Sequence, residues 1–265
     1  MLSPNLLRNS AMETLIFQLQ APLSSWGEAA VGEYRPSAEY PSQSAIQGLL
    51  GAALGIDRDD DAAQTTLRSG YRLAVGMLSQ GRLLRDYHTA QVPGRTDLKN
   101  RPNATRRDEL SLPKPDLNTI LSSRDYRQDA AALVAVQIVA NAPYSLAQLA
   151  AALKKPKFVL YLGRKSCPLA VPLHPRVLSA ETINTAFLDY QQQLAALWQQ
   201  QLPKHTEPNY LAVQKIAWGD DFGADDLSVV GVRRDFSITR KDEVITRQGW
   251  QFADRREHIA LLVKG

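Results

Sequence analysis

The stretch A-A-L-V-A-V-Q-I-V at residues 131–139 is apolar at every position but Gln137. A strand with one wet face would alternate, so this short Val- and Ile-rich run predicts a strand covered on both sides. Working back from it, Tyr71–Leu78 reads as another strand. Before that, Ser44–Leu54 places Ile46, Leu49, Leu50, Ala53 and Leu54 on one helical stripe. Ser44 with Gln47 gives that helix a capping-box start, and Gly55 gives it a stop. Thr14–Gln20 alternates Leu15, Phe17 and Leu19 on one face, as a half-buried strand does. Working forward, Ser145–Leu153 predicts a short capped helix ending at Lys154 and Lys155, and Phe158–Leu162 a further strand.

The order is strand, helix, strand, strand, helix, strand. It predicts an α+β fold of the ferredoxin-like or RRM type. Between the middle strands lies a polar excursion from about Arg82 to Arg127. Structureless loops beyond about 15 residues are uncommon and usually functional, so we expect an inserted arm. Past residue 170, a helix over Glu181–Leu202 carries Ile183, Phe187, Tyr190, Leu194, Leu197 and Trp198 as a packing face. Strand-like pieces follow at Tyr210–Ala217, Leu227–Val232, Val244–Thr246 and Ile259–Val263. The expected organisation is therefore an extension at 1–12, an RRM-like domain at 13–170 with its arm at 82–127, and a smaller α+β unit at 171–265.

The chain has 265 residues, Lys+Arg 31 against Asp+Glu 27, and one cysteine, Cys167. One thiol permits no intrachain disulfide and no Cys-rich zinc site, which suits a reducing, cytoplasmic setting. No signal-peptide run and no stretch near the roughly 20 apolar residues of a membrane span is present. The small net charge is unevenly placed. Residues 154–176 hold Lys154, Lys155, Lys157, Arg164, Lys165 and Arg176 with no acid, and the arm region has ten bases against six acids. Such segregation fits one face turned to a polyanion; a set of merely solvated basic loops is the alternative.

Y-L-G-R-K-S-C-P (161–168) lacks the first glycine of a nucleotide-binding P-loop. What remains is Gly163 for close backbone approach, the cations Arg164 and Lys165, and a hydroxyl, the parts of a phosphate contact. R-D-Y-H-T (85–89) joins Arg85 for a phosphate, Tyr87 for stacking on a base and His88 for a hydrogen bond to RNA. His88 with Tyr87 would alternatively serve metal-free RNA cleavage. Ser44 stands at a helix start able to attract an anion, though capping explains it equally. Trp26 is either core or a stacking platform. Arg255 follows Trp250 and Phe252 in a second aromatic–arginine cluster. The four histidines share no metal-ligand spacing, and no metal or cofactor is expected.

L-Q-A-P-L-S-S-W-G (19–27), Y-P-S-Q-S-A-I-Q-G-L-L-G-A-A-L-G-I (40–56), R-D-Y-H-T (85–89), Y-L-G-R-K-S-C-P (161–168) and R-Q-G-W-Q-F-A-D-R (247–255) follow one another in this chain. In that order they resemble the Cas-five family of CRISPR-associated proteins, in the repeat-associated RAMP superfamily, and its type I-E Cascade members above all. The likeness covers most of residues 13–260. It departs in the leading 11 residues, in a longer Gln-rich helix around 181–202 and in an extra glycine in the closing motif.

The resemblance implies an RRM-like domain with a β-hairpin thumb, holding the 5′ handle of the CRISPR RNA (crRNA). It implies contacts with a Cas-seven-family backbone subunit, with a Cas-eight-family large subunit and, in the assembled complex, with target DNA. A type I-E member is expected to be non-catalytic, whereas a related subtype I-C protein cuts repeat RNA itself, which keeps the endoribonuclease alternative open. On this reading Arg85, Lys157, Arg164 and Lys165 meet phosphates, and Tyr87, His88, Tyr161 and Trp26 meet bases. Arg101, Arg106, Arg107 and Arg124 on the arm meet guide backbone or a neighbouring subunit.

Overall fold

The computed structural model of the chain describes residues 11–28, 30–94, 96–97, 104–139, 141–201, 211–223, 226–246 and 251–262. It is a mixed α/β protein built on antiparallel sheets. The elements are β1 (Met12–Gln20), α1 (Gln43–Leu54), α2 (Asp61–Ser69), β2 (Tyr71–Ser79), β3 (Arg82–Pro93) and β4 (Leu117–Gln128). They continue with β5 (Ala131–Ile138), α3 (Leu146–Lys154), β6 (Arg176–Ala180), α4 (Ile183–Gln201), β7 (Lys215–Gly219), β8 (Phe236–Thr246) and β9 (Gln251–Leu261). Seven strands form one sheet in the order β6-β1-β5-β2-β7-β9-β8, every pair antiparallel.

β5 lies inside this sheet, and its alternate side chains feed two cores. Ala132, Val134 and Val136 meet Leu15, Phe17 and Leu19 of β1 under Leu49 of α1 and Leu149 of α3. Leu133 and Ala135 point the other way, to Ile16, Ala74 and the α4 residues Ile183, Phe187 and Tyr190. The two-sided burial expected of 131–139 is met over Ala131–Gln137, by helices on both faces of the sheet, whereas Ile138 and Val139 are exposed. α4 packs closely because β2 has a glycine beneath it: a Cβ on Gly76 would lie 3.0 Å from the Phe187 ring.

Several expectations move. Phe158–Leu162 is not a strand. The Lys157 and Phe158 N–H groups donate to the Ala53 and Ala52 carbonyls at the end of α1, and Tyr161 forms only an isolated bridge with Pro168. Alternating burial at Leu160 and Leu162 arises here in an extended loop, which shares the strand's period of two. The sheet position beside β1 is taken by β6, so the sheet crosses the boundary drawn at residue 170. β7, β9 and β8 then add to its far side.

Leu227–Val232 begins with a helical turn, Asp226–Val229, rather than a strand. Val244–Thr246 and Ile259–Leu261 are the ends of long hairpin strands. Helix α1 starts before Ser44: its cap is Ser42, whose Oγ accepts from the Ala45 N–H at 3.2 Å. Met12, assigned to the extension, pairs with Ala180. Residues 1–10, Leu202, Tyr210, Trp250 and Val263 lie outside the described residues.

The arm is a hairpin of β3 and β4, each 12 residues long. They pair from Arg82↔Gln128 to Pro93↔Leu117. Its root is bound to the body by two short segments flanking β4, Leu23–Ser24 and Tyr34–Arg35.

Candidate nucleic-acid interface

The segment 161–168 is a closed turn. Leu162 N–H donates to the Cys167 carbonyl and Cys167 N–H to the Arg164 carbonyl, both at 2.8 Å. It docks on the loop after β1 through Ser25 N–H, which donates to the Leu162 carbonyl at 3.1 Å. Gly163 sits at φ +88, and a Cβ there would fall 1.8 Å from the Ser25 carbonyl oxygen. Only glycine fits that contact. The close approach read from the sequence is therefore to protein backbone rather than to phosphate.

Docking swings Arg164 across the root of the arm. Its guanidinium rests 4.5 Å above the Tyr126 ring centroid, and Nη1 and Nη2 donate to the carbonyls of Asp125 and Arg35 at 3.3 and 3.4 Å. A guanidinium carries five N–H donors, so others remain for a ligand. Lys165 is exposed on the same turn, and Lys157 is exposed beyond α1 with its stem across Gly55.

Beside this turn opens a cavity of about 440 Å³. One wall is the first half of α1 with Ser42, Ser44 and Ala45, and another is Ser25, Trp26 and Gly27. Residues 159–161 with Gly163 and Arg164 close a third side, and Val244 and Phe252 of the β8–β9 hairpin a fourth. Thus four of the five sequence motifs, far apart in the chain, converge on one groove. Of the predicted residues it gathers Trp26, Ser44, Tyr161, Gly163 and Arg164. Trp26 is 4% exposed, so it belongs to the core while lining the cavity.

Two predicted contacts prove to be internal. Arg85 donates through Nε and Nη2 to Asp125 at 2.8 and 3.1 Å and to the Tyr34 hydroxyl at 2.8 Å. That pairing holds the Asp125 carboxyl below the ordinary carboxylate range, and the hydrogen bond to Asp125 raises the Tyr34 phenol. The Arg85 fork is thereby committed to protein.

Arg255 is buried. It reaches Asp242 at 2.9 and 3.1 Å and Glu257 at 2.6 Å. Burial opposes its charge, but the carboxylates more than offset this and its pKa is raised. Tyr40 donates to Glu257 at 2.7 Å, and Asp242 also accepts the Gln43 N–H at 2.9 Å. The anion site expected at the start of α1 is thus filled by the chain's own Asp242. Both arginines are engaged by protein partners, of which Tyr34, Asp125 and Asp242 are distant in sequence and Glu257 is two residues from Arg255.

On the arm, Tyr87 is 65% exposed and His88 bonds to Asp86 two residues back. Arg124 is half-buried. At the tip, Arg106 is held by Glu109 and the Gln91 carbonyl, and Arg107 is exposed. Arg101 lies outside the described residues. Sequence reading missed Val159 and Val244, and named Phe252 only as a member of an aromatic–arginine cluster. Val159 could have been noticed, as an apolar residue embedded in the lysine-rich K-K-P-K-F-V.

Among the described residues, no helix is long and apolar enough to cross a membrane. Residues 14–247 match the family model described as CRISPR-associated protein (Cas_Cas5). The chain is 34% identical over 185 residues to the CRISPR system Cascade subunit CasD of Escherichia coli, covering 67% of this chain and 76% of that protein. A structure described as a CRISPR RNA-guided surveillance complex aligns with TM-score 0.57 at 22% identity, over 94% of this chain and 89% of that one. A second, described as a Cas protein, aligns with TM-score 0.52 at 23% identity, over 95% of both chains. These two likenesses concern the fold.

Proposed function

The chain belongs to the Cas5 family of CRISPR-associated proteins, and on that premise we propose that it is a non-catalytic subunit of a type I-E Cascade complex that holds the 5′ handle of the crRNA. The observation that carries this is the convergence of four separated motifs on one groove with Arg164, Lys165 and Lys157 about it. Single-stranded RNA is held by cations that track its backbone and by surfaces that receive its bases, and the groove with its surroundings offers both.

The arm, with exposed Tyr87 and Arg107, faces outward for the crRNA backbone or the Cas-seven-family subunit. The Cas-eight-family subunit and target DNA complete the assembly. In this reading β1, β2, β5 and β6, in the sheet order fourth-first-third-second, form the ferredoxin-like (RRM-type) unit. Residues 13–170 supply it together with β6, and the strands after it form the smaller C-terminal part.

The non-enzymatic role is supported by the likeness to a Cascade subunit; His88 stands on the arm beside Asp86 and is the residue that the endoribonuclease alternative would use.

The test is co-expression of the full chain with Cascade-type subunits and a guide transcript, followed by measurement of handle affinity against salt. Lys165→Ala should lower the slope of log K against log salt by about 0.7, one phosphate on a single strand. Repeat RNA incubated with the protein should stay intact. A slope unchanged by both Lys165→Ala and Lys157→Ala would refute the handle assignment, and cleavage lost in His88→Ala would refute the non-catalytic one.

A further inference from the structure

Away from the groove, a row of side chains crosses three strands of the sheet. Ser237 of β8 stands opposite His258 of β9, and His258 opposite Trp218 of β7. None of these lines the groove. His258 is 3% exposed and lies beside the Trp218 ring, with centroids 5.9 Å apart. Its two ring nitrogens have separate partners. Nε2 meets Asp220 Oδ1 at 2.6 Å, in the short turn that follows β7. Nδ1 meets Ser237 Oγ at 2.8 Å and Arg234 Nη1 at 3.3 Å.

These partners assign the imidazole proton. A guanidinium only donates and an ionised carboxylate only accepts. Nδ1, which faces Arg234, is therefore the acceptor of the ring. Nε2 carries the hydrogen and donates it to Asp220, and the Ser237 hydroxyl donates to Nδ1. A hydroxyl bonded to a base that a third group orients is the arrangement that makes a serine nucleophilic. The base is buried, but Ser237 is exposed, so its oxygen is open to a reagent. Arg234, paired with Asp226 at 3.7 Å, brings N–H donors to the same place.

We propose that Ser237 is a nucleophile activated by His258, a site of acyl transfer from small activated esters. Ser237 Oγ bonds to the ester carbonyl carbon while its proton passes to His258 Nδ1, and Asp220 holds the resulting imidazolium through Nε2. The carbonyl oxygen becomes an oxyanion. Arg234 cannot donate to a protonated Nδ1, so its N–H groups turn to that charge. When the carbonyl re-forms, the bond to the leaving oxygen breaks, and that oxygen takes the proton from Nδ1. The products are acyl-Ser237 and one alcohol, with nothing oxidised or reduced. This chemistry uses no RNA and is independent of the reading of the groove.

The experiment incubates the full chain, in its assembled complex, with para-nitrophenyl acetate and maps acetylation by peptide mass spectrometry. Ser237 should be acetylated roughly 100-fold or more faster than an exposed serine without such a base, such as Ser179 of β6, the scale of general-base assistance. His258→Gln should remove that advantage. Asp220→Asn, at a side chain that is 60% exposed, should reduce it.

If Ser237 reacts no faster than Ser179, the proposal is overturned. It is equally overturned if Ser237 stays fast in His258→Gln, because exposure rather than the imidazole would then set the rate. The comparison of the two serines in the unaltered chain does not depend on any variant folding.

Discussion

Arg85 and Asp125 face each other across the arm hairpin and are joined at both carboxylate oxygens, by Nε to Oδ1 at 2.8 Å and Nη2 to Oδ2 at 3.1 Å. The partners are unequal. Asp125 is 2% exposed, whereas the Arg85 side chain is 55% exposed. The carboxylate is therefore a buried charge at the root of the arm, and the arginine is its solvated counter-ion. Tyr34 donates to the same carboxylate at 2.6 Å, tying in the loop beside β4, and the Ser25 hydroxyl donates to the Asp125 carbonyl at 3.1 Å. The turn that carries Arg164 rests on these same residues, so the geometry of the groove depends on this pair.

Replacing Arg85 should consequently read as a loss of stability. Arg85→Ala leaves Asp125 with Tyr34 as its remaining side-chain hydrogen-bond partner and should lower the urea midpoint. Arg85→Lys should not restore it fully, because one ammonium cannot match a two-point fork. The salt slope of handle binding should stay as it is. A full-stability variant with a reduced slope would return Arg85 to the RNA.

Asp125 also sets an acid response. Its folded pKa is depressed, chiefly by the hydrogen bonds from Arg85, so the unfolded chain binds the proton more readily. The stabilisation is fully present above the unfolded value of about 3.9 and is lost as pH falls through the lower folded value. Urea midpoints taken between pH 6 and 3 should fall steeply toward the acid end, and less steeply in Asp125→Asn. Parallel profiles for the two proteins would contradict the assignment.

What the sequence made legible follows from range. The 131–139 run needed only its own apolarity to announce a strand covered on both sides, and the α4 stripe from Ile183 to Tyr190 needed only helical spacing. The motif segments were visible as motifs, yet their convergence was not, because Trp26, Ser44 and Tyr161 meet through sheet topology. Arg85 and Arg255 looked like nucleic-acid contacts for a related reason. An arginine beside aromatics has the same local signature whether its partner is a phosphate or a carboxylate brought from elsewhere, and Asp125 and Asp242 are brought by cross-strand pairing. Phe158–Leu162 failed as a strand because burial alternates in any extended chain, while its hydrogen bonds go to the end of α1.

Gly163 offers the sharpest single-residue test of the groove. Its φ of +88 and the 1.8 Å separation that a Cβ would have from the Ser25 carbonyl leave no room for alanine. Gly163→Ala should cost about 3 kcal/mol or more through backbone strain and displaced packing. Local opening has its own reporter in Cys167, fully buried on the same turn with its thiol pKa raised by burial. A disulfide reagent should modify Cys167 slowly in the parent protein and much faster in the variant. Equal rates would mean that the turn is not held by the Ser25 contact.

Arg255 separates a structural role from a binding role most cleanly, because the two make opposite predictions. Its side chain is 14% exposed and neutralises two buried carboxylates at once, Asp242 and Glu257. Truncation in Arg255→Ala strands Asp242, left with the Gln43 N–H, while Glu257 keeps Tyr40 and, at 3.7 Å, Arg240; the loss is on the scale of about 3–5 kcal/mol. Since Asp242 also anchors the first turn of α1 through Gln43, the groove wall should loosen together with the β8–β9 hairpin. Adding Asp242→Asn to Arg255→Ala removes one stranded charge and should recover part of the loss. The combined effect should then be smaller than the sum of the two single effects. Handle affinity, measured where each variant is fully folded, should keep the parent's salt slope, because a guanidinium engaged by two carboxylates releases no phosphate counterion. Strict additivity of the two substitutions, with undiminished stability and a lowered slope, would place Arg255 on the RNA.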